Sequence, residues 1–387
     1  MDNYDMDRAP LIVLGSTGSV GTQALDVAER TGTPVEAICA HRDVKAVEAQ
    51  ARKFQVSMCA MGDENAAAEL RVRLADTSVR VFGGADGIPE MVAASRAPIA
   101  LNAIIGEAGL ASTLAVLRAD KQLALANKES LVVAGEIVMR EARERGIHIR
   151  PVDSEHCAVA QCLQAGEHRE VKRLLLTASG GPFFGRTRDE LTDVRAEDAL
   201  AHPTWSMGAK ITIDSASMMN KGFEVIEAAY LFDIPAERVD VVVHRESIIH
   251  SMVEYIDGSV MAQMSVPDMR HCIQHALTHP HRETGCIAPL DLVKLGKLTF
   301  AAPDEETFVL LPLAREAMRR GGAVPAVLNA ANEVAVDAFL HGRIGFTALF
   351  DTVVRTVQQL PDAARAHSLE DILGYDRLAR ETAKRYL

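Results

Sequence analysis

The sequence predicts an α/β protein in three parts: a mostly parallel sheet wound with helices, a mixed α+β region, and an all-helical C-terminal region. Three observations predict it. A short apolar run, Leu11–Leu14, flows into a glycine loop and then a helical pattern. Brief apolar runs alternate with amphipathic stretches up to about residue 150. From about residue 303 the apolar spacing is helical throughout.

The glycine loop is Gly15-Ser-Thr-Gly18-Ser-Val-Gly21, and Val20, Ala24, Val27 and Ala28 share one face of the helix that follows. Strand, glycine loop and helix in that order form the setting in which backbone N–H groups and a helix N-terminus receive a pyrophosphate. The spacing is G-x-x-G-x-x-G rather than G-x-G-x-x-G, so a tight βα turn without ligand stays open. Further strands are expected at Val35–Ala40, Val56–Ala60, Val79–Phe82, Ile99–Ala103 and Gln122–Ala126. Such alternation implies right-handed crossovers and a Rossmann-type sheet. His41-Arg42-Asp43 follows the second strand. Arg42 there favours NADP, because a guanidinium accommodates a 2′-phosphate; Asp43 can instead cap the helix beginning there. Asn127-Lys128-Glu129-Ser130 ends the sixth strand, as a cofactor or substrate rim or as an ordinary entry to a helix from Leu131.

The apolar run Ile147–Val152 reads as a strand, and Asp153 and Glu155 follow its end. In extended backbone, residues i and i+2 face the same side, so both carboxylates can converge. Two converging carboxylates need a proton or a cation, and an oxygen-only donor set suits Mg²⁺ or Mn²⁺. A solvated acidic turn is the alternative. His156-Cys157 invites a zinc reading, but Cys157 to Cys162 is not ligand spacing; a helix His156–Gln164 is expected instead.

Strand Val171–Ala178 leads into Ser179-Gly180-Gly181-Pro182, a second glycine turn able to cradle a phosphate. The polar stretch from about 180 to 209 holds the only tryptophan, Trp205, and reads as a lid, with Trp205 as either an anchor or a cover. Lys210–Asp214 reads as a strand, and Ser215 and Ser217 as caps of a helix carrying Asn220, Lys221 and Glu224. Asn220 and Glu224 lie four apart on one face. This helix start is a phosphate site with Glu224 as a third metal ligand, or an ordinary amphipathic helix. Val239–Val243 reads as a strand, Ile248–Ile256 and Ser259–Val266 as a hairpin of the kind that often builds a subunit contact. Helices are expected at Glu305–Arg320, Pro325–His341, Phe346–Gln359 and Ser368–Leu387. The expected domains are 1–150, 151–285 and 303–387, with 286–302 as a linker.

Bulk properties narrow the function. Hydrophobic residues make up 48% of 387, which excludes a disordered chain. With 41 basic against 53 acidic residues the net charge is −12, which argues against a nucleic-acid or membrane partner. The six cysteines form no C-x-x-C pair and suit a reducing cytosol. No signal peptide and no membrane-length apolar run is read, so a cytoplasmic protein is expected.

Seven stretches together resemble the 1-deoxy-D-xylulose 5-phosphate reductoisomerase family of the non-mevalonate isoprenoid pathway. They are residues 15–21, 124–131 (Ala-Leu-Ala-Asn-Lys-Glu-Ser-Leu), 151–156 (Pro-Val-Asp-Ser-Glu-His), 177–183 (Thr-Ala-Ser-Gly-Gly-Pro-Phe), 202–208 (His-Pro-Thr-Trp-Ser-Met-Gly), 214–222 (Asp-Ser-Ala-Ser-Met-Met-Asn-Lys-Gly) and 328–335 (Leu-Asn-Ala-Ala-Asn-Glu-Val-Ala). The resemblance implies an N-terminal NADPH-binding domain, a catalytic domain with a flexible flap, a C-terminal four-helix bundle and a homodimer. It implies Asp153, Glu155 and Glu224 as metal ligands and Ser179, Ser215, Asn220 and Lys221 around the phosphate of a ketose. Lys128, Ser154 and His202 would contact substrate, with Trp205 and Met207 on the flap; Lys128, Glu155, His202 and Glu224 would carry the chemistry. Gly15, Thr17, Gly18, Ser19, Val20, His41, Arg42, Asp43, Asn127, Glu129 and Gly208 would line the cofactor site. The chain departs from the family at His41 and Asp43, and where a His-Pro-Gln-Ser pattern reads His244-Arg245-Glu246-Ser247. The competing expectations are a plain dehydrogenase of semialdehyde or homoserine type, which needs no three converging carboxylates beside a phosphate cradle, and a non-enzymatic nucleotide sensor, which predicts no divalent-ion requirement.

Overall fold

The computed structural model describes residues 8–106, 108–205 and 207–387. In chain order the elements begin β1 (Leu11–Leu14), α1 (Ser19–Thr31), β2 (Val35–Ala40), α2 (Val44–Phe54), β3 (Met58–Met61), α3 (Glu64–Arg73), β4 (Arg80–Gly83) and α4 (Gly87–Ala94). They continue with β5 (Ile99–Asn102), α5 (Ala108–Arg118), β6 (Gln122–Leu125), α6 (Glu129–Glu144), β7 (Arg150–Pro151), α7 (Ser154–Cys162), β8 (Val171–Ala178), α8 (Ala196–Leu200), α9 (Ala209–Ala216) and α10 (Met219–Phe232). The last are β9 (Val239–Val243), β10 (Ile249–Tyr255), β11 (Val260–Met264), α11 (Met269–Thr278), α12 (Leu292–Leu295), α13 (Leu310–Arg320), α14 (Val324–Leu340), α15 (Phe346–Gln359) and α16 (Leu369–Lys384).

The first compact unit comprises residues 1–130, 138–153 and 268–288. Its seven strands run in the order β4-β3-β2-β1-β5-β6-β7, all parallel. The order reverses at β1, which lies between β2 and β5; ligands of such sheets bind at the carboxyl ends around that reversal. Central strands are buried on both faces, so they read as continuous apolar runs: Leu11, Ile12, Val13 and Leu14 are all fully buried. Residues 268–288 belong here, not with a contiguous second domain, because Ile273 and Ala276 of α11 enter the same apolar cluster as Leu11, Val13 and Val152. Such a long-range partner leaves no mark in a sequence read segment by segment.

The second unit comprises residues 131–137, 154–267 and 289–387. Its sheet is mixed, ordered β11-β10-β8-β9, with β8 parallel to β9 and β10 antiparallel to both β8 and β11. The hairpin expected around Asp257-Gly258 is present as β10 and β11, with Gly258 at φ 87° supplying the turn. Helices α13–α16 form the C-terminal bundle. Its centre is aromatic: Phe346 stands edge-on to Phe339, Phe350 and Phe183 at centroid distances of 5.1–5.3 Å.

Several local expectations change. Residues 210–214 are helical, not a strand: Gly208 opens α9, Thr212 Oγ1 bonds the Gly208 carbonyl at 2.8 Å, and Lys210 pairs with Asp214 at 2.9 Å across one turn. Ser215 therefore lies in the last turn of α9 and Ser217 at its C-cap; the position before α10 is Met218, at φ 62°. The strand before Asp153 shrinks to Arg150–Pro151, and α7 starts at Ser154, two residues earlier than expected. Helix α6 likewise begins at Glu129, with Lys128 as its N-cap and non-helical backbone at Ala134. The stretch 180–209 holds α8 and is partly pinned: Phe183 and Leu191 are buried, and Arg188 pairs with Asp351 of α15 at 2.7 Å. No helix among the described residues is long and apolar enough to cross a membrane.

Because Phe346 joins the bundle to the start of this stretch, Phe346→Ala should cost about 3–5 kcal/mol. Urea denaturation followed by circular dichroism should show that loss as a lowered midpoint.

Candidate active site

In the first unit the glycine loop closes on the reversal point. Gly15 has φ 82°, and a Cβ on it would lie 2.8 Å from the Ala103 carbonyl oxygen. A Cβ on Gly21 would lie 2.1 Å from the Gly15 oxygen. Only hydrogen fits at either place, and the loop is thereby pressed against the start of α1. Gly18 is the N-cap of α1 with no side-chain bond, which leaves Thr17, Gly18, Ser19 and Val20 around a helix N-terminus of positive dipole.

At the end of β2, the carboxylate of Asp43 accepts from Ala46 N at 3.1 Å and caps α2. Arg42 is exposed and bonds Asp63 at 2.9 Å, while His41 packs on Gly62. After β6, Asn127 Nδ2 donates to the Gly106 carbonyl and to Glu129, each at 3.1 Å, and its Oδ1 accepts from Ser130 N at 2.8 Å. Lys128 Nζ pairs with Asp153 at 3.2 Å, and both are largely sheltered.

In the second unit, α7 and α10 bring three charges together. Glu155 lies in the first turn of α7, and α10 carries Asn220, Lys221 and Glu224 one turn apart. Carboxylate oxygens of Glu155 and Glu224 lie within 4.8 Å of each other. The buried Lys221 ammonium donates to Glu155 Oε1 at 2.9 Å and also to Glu224 Oε2. Asn220 Nδ2 reaches Glu224 Oε1 at 2.6 Å, as the i, i+4 spacing anticipates. Burial works against a charged Lys221, but the two carboxylates prevail and hold it protonated, above the usual lysine range. Ser154 bonds Glu155. Glu155 and Glu224 thus converge helix on helix, and Glu155 stands in the first turn of α7 rather than in the extended backbone from which its convergence with Asp153 was expected.

Sequence reasoning missed the pair behind them. His156 is fully buried, with Nδ1 3.1 Å from Glu227 and Nε2 2.9 Å from the Glu224 carbonyl oxygen. Glu227 sits three residues past Glu224 on one helix, so the spacing held this information.

The second glycine turn meets the end of α9. Gly180 and Gly181 have φ of 74° and 63°, and a Cβ on Gly181 would come within 2.8 Å of the Ser215 carbonyl oxygen. The turn that follows Ser179 therefore packs on the backbone of Ser215. Ser179 Oγ lies 3.0 Å from His202 Nε2, while His202 Nδ1 accepts from Thr204 N at 3.2 Å and Trp205 N at 2.9 Å. Burial, then the charge of Arg245, holds the His202 imidazole below its usual range. Two N–H donors on Nδ1 fix the neutral tautomer with hydrogen on Nε2. Trp205 is half-buried, its ring 6.3 Å from that of His250 on β10; Met207 is half-buried and Gly208 exposed.

The chain matches three family models: 1-deoxy-D-xylulose 5-phosphate reductoisomerase over residues 11–135, the 1-deoxy-D-xylulose 5-phosphate reductoisomerase C-terminal domain over 149–232, and the DXP reductoisomerase C-terminal domain over 264–382. It is 49% identical to the 1-deoxy-D-xylulose 5-phosphate reductoisomerase of Chlorobium phaeobacteroides over 97% of this chain and 98% of that one. Against the enzyme of Geobacter metallireducens it is 48% identical, again over 97% and 98%. The fold superposes with a TM-score of 0.92 on the Zymomonas mobilis reductoisomerase solved in complex with NADPH, at 44% identity and 98% coverage of each chain. It superposes at 0.91 on a DOX-P reductoisomerase solved with NADPH, fosmidomycin and magnesium, at 38% identity and 98% coverage of each. The chain belongs to the 1-deoxy-D-xylulose 5-phosphate reductoisomerase family.

Proposed function

We infer that this chain converts 1-deoxy-D-xylulose 5-phosphate to 2-C-methyl-D-erythritol 4-phosphate, using NADPH and Mg²⁺ or Mn²⁺. The observation that carries the reading within the structure is the oxygen-only set on α7 and α10, two converging carboxylates already neutralised by a cation, Lys221. Such a set fits a hard divalent ion. Glu155 and Glu224 would hold it with Asp153, two residues before Glu155 in the chain. A metal bound there acts as Lewis acid on the substrate's neighbouring oxygens, and NADPH supplies hydride to the rearranged aldehyde.

Lys128, paired with Asp153, and Ser154, bonded to Glu155, orient substrate oxygens and ligand carboxylates. Ser179 and Ser215 face the phosphate, with Asn220 and Lys221 on the first turn of α10, where Lys221 also counters the two carboxylates. Neutral His202 donates from Nε2 while its Nδ1 holds the backbone at Thr204 and Trp205. Trp205 and Met207 cover the bound ketose and exclude water. In the first unit, Gly15, Thr17, Gly18, Ser19 and Val20 receive the pyrophosphate. Arg42 reads the 2′-phosphate, with His41, Asp43, Asn127, Glu129 and Gly208 completing the cofactor contacts.

The chain acts as a homodimer in the cytoplasm. Supporting the first, β11 is an edge strand carrying Val260 and Met261 at 48% and 43% exposure, a surface open to a second copy. Supporting the second, five of the six cysteines are buried, with the Cys39 and Cys59 thiols pushed up to about 12 by burial.

Glu224→Gln should weaken Mg²⁺ binding and kcat by roughly one to two orders of magnitude, the worth of one charge-assisted contact. Calorimetric titration should register the metal loss while NADPH fluorescence titration stays within twofold; unchanged metal affinity would remove Glu224 from the shell.

Arg42→Ala should weaken NADPH far more than NADH. Asp43→Ala should leave that preference nearly intact and cost about 1 kcal/mol of stability, the usual value of a carboxylate cap. Equal weakening of both cofactors in Arg42→Ala would place the guanidinium away from the 2′-position.

A further inference from the structure

The departure His244-Arg245-Glu246-Ser247 falls beside the second glycine turn. Arg245 Nη1 donates to the carbonyl oxygens of Ser179, at 2.9 Å, and Gly181, at 2.6 Å. Its guanidinium also lies over the Phe184 ring, 5.3 Å from the centroid. Two carbonyls and one ring face fix the plane of the fork, leaving the N–H groups on Nε and Nη2 outside those bonds.

The charge is not cancelled locally. Glu246, its neighbour, turns to Thr299 Oγ1 at 2.7 Å and His244 Nδ1 at 3.1 Å. Among the described residues no carboxylate lies within ion-pair distance of Arg245, although the chain carries a net charge of −12. A half-buried cation without a counter-ion, held rigid against Ser179, is a strong attractor for an anion. The turn it braces is the one pressed on the Ser215 backbone, so the guanidinium and the Ser179 hydroxyl belong to one small turn packed on the end of α9.

We propose that Arg245 is a substrate-reading residue that binds the phosphate of the ketose beside Ser179, adding a cation to this site. The inference rests on the assignment of Ser179 to the phosphate made above. Arg245 does two things there. It holds the Ser179–Gly181 carbonyls so that Ser179 Oγ stays within reach of His202, and it directs Nε and Nη2 hydrogens to a phosphate oxygen. Its charge also favours neutral His202, the form whose Nδ1 accepts from Thr204 and Trp205. Among the described residues Arg245 is the charged group that acts on this imidazole; its other partners, the Ser179 hydroxyl and the backbone N–H groups of Thr204 and Trp205, are neutral.

The test compares Arg245→Met, Arg245→Lys and Ser179→Ala with the parent enzyme at saturating Mg²⁺ and NADPH, using inorganic phosphate as competitive inhibitor. Arg245→Met should raise the KM for 1-deoxy-D-xylulose 5-phosphate and the Ki of inorganic phosphate by about 10- to 100-fold, the range for one charge-assisted contact. The KM for NADPH should stay within twofold, which also reports that the variant is folded. Arg245→Lys should recover part of the phosphate affinity, since it restores charge without the fork. The acidic limb of kcat/KM should move to higher pH in Arg245→Met and return in Arg245→Lys, because removing the guanidinium lets the imidazole protonate sooner. A Ki for phosphate unchanged in Arg245→Met but raised in Ser179→Ala would overturn the role of Arg245 and leave the site reading standing. A Ki unchanged in both variants would overturn the site reading and Arg245 with it. A KM raised in Arg245→Met with unchanged Ki and no recovery in Arg245→Lys would reduce Arg245 to a brace of the turn.

Discussion

One buried ammonium organises the second unit. Lys221 is 4% exposed and sits between Glu155 and Glu224, which could not otherwise remain charged side by side in a sheltered place. Removing one partner of such a set leaves an uncompensated buried charge, so these three side chains depend on one another. They also tie α7 to α10, because Glu155 comes from one helix and the other two come from the second. A divalent ion and an ammonium answer the same electrostatic demand. The site is built so that positive charge is always required at this point.

The carboxylates are positioned from behind as well as from the front. His156 follows Glu155 on α7 and reaches across to α10, contacting the Glu227 carboxylate and the backbone carbonyl of Glu224. Its ring lies 6.2 Å from that of the half-buried Phe232 at the end of α10. Each of the two carboxylates, Glu155 and Glu224, is thus followed in its helix by a buried group, His156 or Glu227, that ties α7 to α10. Outer partners of this kind commonly set ligand orientation as much as the ligands themselves. Glycine plays a comparable part wherever backbone must approach backbone. Gly15 and Gly21 let the first loop fold onto α1, and Gly181 lets the second turn lie on Ser215.

The overall fold was largely legible in the sequence. Strand–glycine–helix order, alternating apolar runs and helical spacing after residue 303 each follow from period and turn chemistry, and those are local properties. The seven motif stretches identified the family, and the spacing of Asn220 and Glu224 anticipated their contact. Local reading failed where two structures share one pattern. Residues 210–214 alternate like a strand, yet burial of Thr212, Ile213 and Ala216 together with the Lys210–Asp214 pair makes them helical.

What the sequence determined by itself was therefore composition, period and motif: an α/β chain with a helical end, a glycine loop between strand and helix, and a set of acids near residues 153–155 and 224. What only the tertiary structure decided was proximity between segments far apart in the chain. It placed α11 with the first sheet, set Lys221 between two carboxylates, joined His156 to Glu227, and laid Arg245 on the carbonyls of Ser179 and Gly181. The physical reason is that charge and burial act through space. A sequence shows that Arg245 is a cation, but only the fold shows that its neighbouring acid faces elsewhere.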